Sequence, residues 1–142
     1  MTRAITDFEG LWQMERWIDD RFGGQPGHFI GTAELQRDAK SAPPGTWNWN
    51  ESGYLTLGEE TPVLATRTYL WRPVPPRIEV FFEDGRPFHA FALSGQATAA
   101  HWCDPDDYRV DYDFSRWPDW SATWRVSGPH KDYEMISRYK RA

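Results

Sequence analysis

A chain of 142 residues with a net charge of −5 and a pI near 5.3 carries no clustered Lys/Arg footprint for nucleic acid. Mean hydropathy is −0.74 and no apolar run reaches the length of a membrane span, so no membrane partner is expected. One cysteine excludes an intrachain disulfide, and with no apolar h-region after Met1 the sequence is read as one cytoplasmic domain over residues 1–142.

The first element begins at Gly10. Leu11, Met14, Ile18 and Phe22 fit a helical stripe as well as a strand, and the stretch after Pro129 has the same ambiguity. Both are read as strands, because the rest of the chain is punctuated at short intervals by turn signals. These are Gly23-Gly24, Pro43-Pro44-Gly45, Gly58, Pro73 to Pro76, Asp84-Gly85, Ser94-Gly95, Asp104-Pro105 and Gly128-Pro129. Between them lie alternating stretches rich in Trp, Tyr, Phe, Val and Thr. The pattern predicts an all-β fold, a closed antiparallel up-and-down β-barrel of about eight to ten strands.

The apolar residues are of an unusual kind. Aromatics number 23, nine of them Trp, against 17 Ile, Leu and Val residues together. Broad rings with polar tips suit a packed core and a ligand cavity equally well.

Alternation then assigns faces. Arg16 shares a face with Trp12, Met14 and Ile18. Glu51 is the only charge among Trp47, Trp49, Gly53, Leu55 and Leu57. Arg67 fits either face, because the Gly58 to Pro62 loop leaves its register open. A two-residue turn at Asp84-Gly85 pairs Glu83 with Arg86, Val80 with His89 and Ile78 with Phe91. His89 then faces inward with Phe91, while Phe88 faces outward. Tyr108, Val110, Tyr112 and Phe114 form an inward set. An even loop at Asp104-Pro105 pairs Cys103 with Tyr108 and His101 with Val110, bringing His101 and Cys103 inside. A three-residue loop Ser94-Gly95-Gln96 makes His89 and His101 cross-strand neighbours. Trp120, Ala122, Trp124 and Val126 complete the interior. Lys131, Arg138, Lys140 and Arg141 read as the solvated face of an edge strand.

Gly10-Leu11-Trp12 resembles the Gly-x-Trp of the calycin superfamily, which implies a calycin-like, lipocalin-like barrel with an Arg packed over the Trp. Arg138 is placed to be that Arg. More of the chain resembles a bacterial family known only as domain-of-unknown-function family 6314. The matching stretches are Phe8-Glu9-Gly10-Leu11-Trp12 with Arg16 and Ile18, Gly27 to Ala33, Tyr69-Leu70-Trp71-Arg72, Phe82 to His89, and His101-Trp102-Cys103 with Asp104, Asp106 and Tyr108. Tyr112-Asp113-Phe114, Trp117-Pro118 and Gly128 to Tyr133 follow, with His130 where the resemblance implies a basic residue such as Arg. The resemblance supports the fold and carries no activity.

The candidate site is therefore Arg16, Glu51, His89, His101, Cys103, Tyr108, Tyr112 and Trp124. An inward Arg and Glu imply each other or a polar ligand, since buried charge is costly unless paired. Three readings stay open. The cluster lines a cavity for a small hydrophobic or aromatic molecule, anionic charge allowed. Alternatively it is a cofactor-free isomerase, cyclase or hydrolase site using His89, His101 and Cys103. Or it is an internal network in a filled structural or partner-binding barrel. Neither metal nor cofactor is expected: the His and Cys spacing is no zinc pattern, and no second cue supports haem. The sequence does not fix the oligomeric state.

Overall fold

Ten strands follow one another as an antiparallel meander in a computed structural model that describes residues 3–38, 40, 45–94 and 96–142. They are β1 (Gly10–Asp20), β2 (Gly27–Arg37), β3 (Trp47–Leu57), β4 (Val63–Val74), β5 (Arg77–Phe82), β6 (Pro87–Ala92), β7 (Gln96–Cys103), β8 (Asp106–Asp113), β9 (Trp120–Gly128) and β10 (Lys131–Arg141), after a short 3₁₀ turn, Ile5–Phe8. The predicted turn residues Pro43 and Pro44, and Gly95 of the Ser94 loop, lie outside the described residues.

Both helical stripes are strands. Met14 and Trp12 alternate with Gln13 and Leu11, burying one face of β1 and exposing the other, and β10 alternates likewise at Ser137 and Tyr139. β1 pairs β10, so the ladder runs β6-β5-β4-β3-β2-β1-β10-β9-β8-β7. The basic β10 is thus an inner strand. The edges are β6 and β7, which are consecutive in sequence, and their seam leaves the barrel nearly closed. Between them, side chains take the place of a ladder: the Phe88 ring lies 5.4 Å from His101, and Phe82 lies 5.9 Å from it. His89 and His101 are therefore not cross-strand partners.

One end of the barrel is plugged. The 3₁₀ turn places Phe8 at the centre of a ring cluster, 4.8 to 6.4 Å from Trp71, Phe91, Phe114, Trp117 and Trp120. Trp12 is fully buried beside it and donates its indole N–H to the Phe8 carbonyl at 2.9 Å. The cation over Trp12 is Arg141, at 3.9 Å, and it also donates to the Glu9 and Asp7 carbonyls at 2.6 and 2.5 Å. Arg138, the expected partner, points outward over Trp17, because strand alternation puts it on the opposite face from Ser137 and Tyr139. The architecture is consistent with a calycin-like barrel. No helix among the described residues is long and apolar enough to cross a membrane.

Between the two ends the wall is shaped by a glycine pair. Gly31 and Gly53 face each other on β2 and β3, and the Phe29 ring lies over Gly53. A Cβ on Gly53 would run into the Ile30 carbonyl oxygen and stand 2.6 Å from Gly31 Cα and 2.8 Å from Phe29 Cζ. Backbone cannot retreat as a flexible side chain does. Gly53→Ala should therefore lower stability by about 1–3 kcal/mol, read as a fall in the urea midpoint at unchanged slope. A midpoint equal to the parent's would mean that the two strands are not held this close.

Candidate functional site

The inward faces that leave the plugged end enclose a cavity of about 400 Å³, open at the other end. All eight candidate residues line it. Register explains how they converge. Arg16 on β1 stands opposite Ser137 on β10, and Glu51 on β3 stands opposite Arg67 on β4. β2 separates Arg16 from Glu51, and the small Ala33 opposite Glu51 lets the two long side chains meet above it.

The resulting ion pair is two-pronged. Arg16 Nη1 donates to Glu51 Oε1 at 3.2 Å and Nη2 to Oε2 at 3.3 Å, with Glu51 only 6% and Arg16 19% exposed. Arg16 Nε donates to the fully buried Ser137 hydroxyl at 2.6 Å, and Trp49 donates its indole N–H to Glu51 at 3.0 Å. Burial alone would pull the guanidinium pKa down; the facing Glu51 carboxylate overrides it and holds Arg16 above its ordinary value. The charge is thus fixed at any ordinary pH.

Across the cavity, His89 Nε2 lies 2.8 Å from the Tyr112 hydroxyl, and its Nδ1 is buried with no partner among the described residues. The ring is enclosed by Phe88 at 4.5 Å, Trp124 at 5.0 Å and Tyr112 at 5.9 Å. Burial, helped by the neighbouring His101, pushes the His89 pKa down to about 3, so the imidazole is neutral. Burial likewise drives the Tyr112 phenol well above its usual range. His101 faces the interior opposite Tyr108, two residues from the predicted partner Val110. The Asp104-Pro105 loop is two residues long, and an even shift preserves the face. Cys103 pairs with Asp106 at the rim and is exposed, so it borders the cavity without being inside it. Tyr108 accepts from Lys131 Nζ at 3.1 Å, and Lys131 also pairs with Asp106 at 3.1 Å.

Sequence reasoning missed several wall residues. Phe88 was expected outside, yet it is buried and stacks on Trp124 at 5.1 Å. A β-bulge on β6 is the cause: Phe81 pairs with Pro87 while Val80 pairs with His89, so Phe88 is an extra residue. Trp71 and Tyr139 were also not foreseen; they stack at 4.7 Å on Trp49 and at 3.9 Å on Trp120, two residues that alternation had already placed inward, and so add flat walls. Simple alternation along β10 would have found Ser137 and Tyr139, had the basic residues not suggested an edge. Among the described residues no three His, Cys, Asp or Glu side chains group as a metal set.

Residues 8–141 match a family of unknown function, DUF6314. The chain belongs to DUF6314. No curated protein matches this DUF6314 chain by sequence. Among solved structures it is similar to the S-type phycobiliprotein lyase CPES from Guillardia theta, with a TM-score of 0.66 at 10% identity over 99% of this chain and 93% of that one. A protein of unknown function from the DUF3598 family of Nostoc punctiforme gives a TM-score of 0.64 at 11% identity; the DUF6314 chain is covered over 99% and spans half of that larger protein. At such identities the likeness is one of fold. The barrel with its buried aromatic cluster is consistent with small-molecule binding.

Proposed function

We propose that this DUF6314 protein binds a small, flat, amphipathic molecule inside its barrel, in the reducing cytoplasm that a single cysteine fits. One observation carries the reading: the aromatic interior is filled at one end and hollow at the other. The hollow, about 400 Å³, falls within the size range of small-ligand sites. Its wall sets stacked rings beside a few convergent polar groups, which is the usual division of labour between affinity and orientation. A filled structural barrel would have no use for an Arg16–Glu51 pair beside a void, since two well-packed apolar residues would serve stability as well.

The binding reading is preferred to acid–base catalysis by His89. A base is most effective with a pKa near working pH, and a ring held near 3 is a weak acceptor at neutrality. Exposure of Cys103 on the rim removes it from the enclosed part of the cavity.

The test is a thermal-shift titration with aromatic acids, fatty acids and linear tetrapyrroles, the last included because of the likeness to a phycobiliprotein lyase. Binding to the native state should raise Tm with ligand concentration, by about 2.7 kcal/mol of added stability at a hundredfold excess over Kd. Tryptophan emission should change in parallel, because Trp49, Trp71, Trp120 and Trp124 line the cavity. His89→Ala should weaken binding more than Arg109→Ala, whose side chain pairs with Asp107 at the surface. If no compound moves either signal, the interior is not a binding site.

A further inference from the structure

We infer that Arg67 anchors an acidic group of the bound molecule at the cavity mouth, so that the ligand is an aromatic or amphipathic acid. The inference rests on the cavity being the binding site, and it starts from a charge count. Among the described residues lining the cavity, Arg16 is matched by Glu51. At the rim, Lys131 is matched by Asp106. His89 is neutral. Arg67 also lines the cavity and has no carboxylate partner among the described residues.

Its orientation is set by the ladder. Arg67 stands opposite Glu51, whose side chain is inward, so the Arg67 side chain leaves β4 on the same face. It does not complete a second pair with Glu51, because both Glu51 oxygens already accept from Arg16, and Trp49 adds a third donor. Instead Arg67 Nε donates to the Tyr69 hydroxyl at 3.2 Å, and the guanidinium carbon lies 5.5 Å from the Tyr69 ring. Tyr69 thus holds the guanidinium by its Nε edge, and among the described residues the two terminal nitrogens have no hydrogen-bond partner. Those nitrogens form the planar fork that matches a carboxylate or sulfonate with two parallel hydrogen bonds.

The position suits an entering acid. Arg67 is exposed to water at the mouth, whereas Trp49, Trp71 and Trp120 lie deeper and are buried. A molecule with its ring system against these indoles would leave its acid at the level of Arg67, still partly hydrated. The deep cation, Arg16, is already neutralised and offers no comparable attraction.

Two probes that share a ring system separate the acid from the body: 1-anilinonaphthalene-8-sulfonate and the uncharged N-phenyl-1-naphthylamine. The dissociation constants of both are measured by fluorescence on the full chain, for the parent and for Arg67→Met and Arg67→Lys. In Arg67→Met the sulfonate probe should lose about fivefold relative to the neutral probe, a modest factor because the site is partly exposed. Arg67→Lys should keep part of that preference, since it retains charge without the fork. In the parent alone, raising ionic strength should weaken the sulfonate probe selectively. This arm needs no variant to fold. An unchanged ratio in Arg67→Met, or a salt response equal for both probes, overturns the assignment of Arg67 while leaving the cavity as a binding site. Failure of both probes to bind the parent would overturn the cavity reading, and this inference with it.

Discussion

Glu51→Ala should destabilise the protein by about 3 kcal/mol at neutral pH, near the lower end of what breaking a buried ion pair costs. The substitution removes both acceptors of the Arg16 fork and the acceptor of the Trp49 indole N–H at once. What remains is a buried guanidinium that has lost the carboxylate facing it yet still carries its charge at neutral pH, with only the neutral hydroxyls of Ser137 and Tyr139 beside it. The lower end is expected because Arg16 borders a cavity, and water can partly rehydrate it there. Chemical denaturation gives the number. The companion variant Arg16→Met with Glu51→Leu should recover most of the loss, since replacing both partners by apolar residues leaves no buried charge unpaired and strands only the neutral Trp49 indole N–H. Strong non-additivity between the two sites would confirm that the pair acts as a unit. A Glu51→Ala protein within 0.5 kcal/mol of the parent would mean that water already satisfies this carboxylate.

How much of this was legible in the residues depends on parity. The Asp84-Gly85 hairpin was read as a two-residue turn with straight strands. It is instead a three-residue loop, with Phe82 paired to Arg86 and Gly85 at a φ of +91°, followed by a one-residue bulge at Phe88. The two departures cancel, so Val80 still meets His89 and Ile78 still meets Phe91. His89 was therefore placed correctly by an argument that missed both features, and Phe88 was misplaced by the same argument. The two-residue shift at His101 was harmless because it preserves the face, whereas the seam between β6 and β7 was invisible. No local pattern distinguishes a sequential hairpin that pairs from one whose strands lie side by side without a ladder. Arg67 illustrates the opposite case. Its neighbours were legible, but a loop of uncertain length hid its register, and only the observed pairing with Glu51 puts it on the inner face. Arg138 and Arg141 differ by an odd step, so naming one as the cation over Trp12 in place of the other moved it through the wall.

Between pH 6.5 and 5 the parent should lose about 1–2 kcal/mol more stability than His89→Gln does. In the unfolded chain an imidazole titrates near 6.5, while His89 in the folded barrel is held down to about 3. Below 6.5 the unfolded state therefore binds a proton that the folded state refuses. Stability linked to His89 is complete above pH 6.5, falls as pH drops, and stops falling only near pH 3, where the folded ring also charges. The slope through this window is at most about 1.4 kcal/mol per pH unit. The cause is structural: the ring is enclosed by Phe88, Tyr112 and Trp124, with His101 nearby, and among the described residues no carboxylate pairs with it to favour the cation. Glutamine does not titrate, so its melting curve against pH retains the contributions of every other group and lacks this one. The experiment compares denaturation midpoints of the two proteins from pH 7 to pH 4.5. Curves that converge toward acid pH bear out a neutral, enclosed His89. Parallel curves would mean that the ring takes its proton freely, and the wall of the cavity at Tyr112 and Trp124 would then have to be open to water.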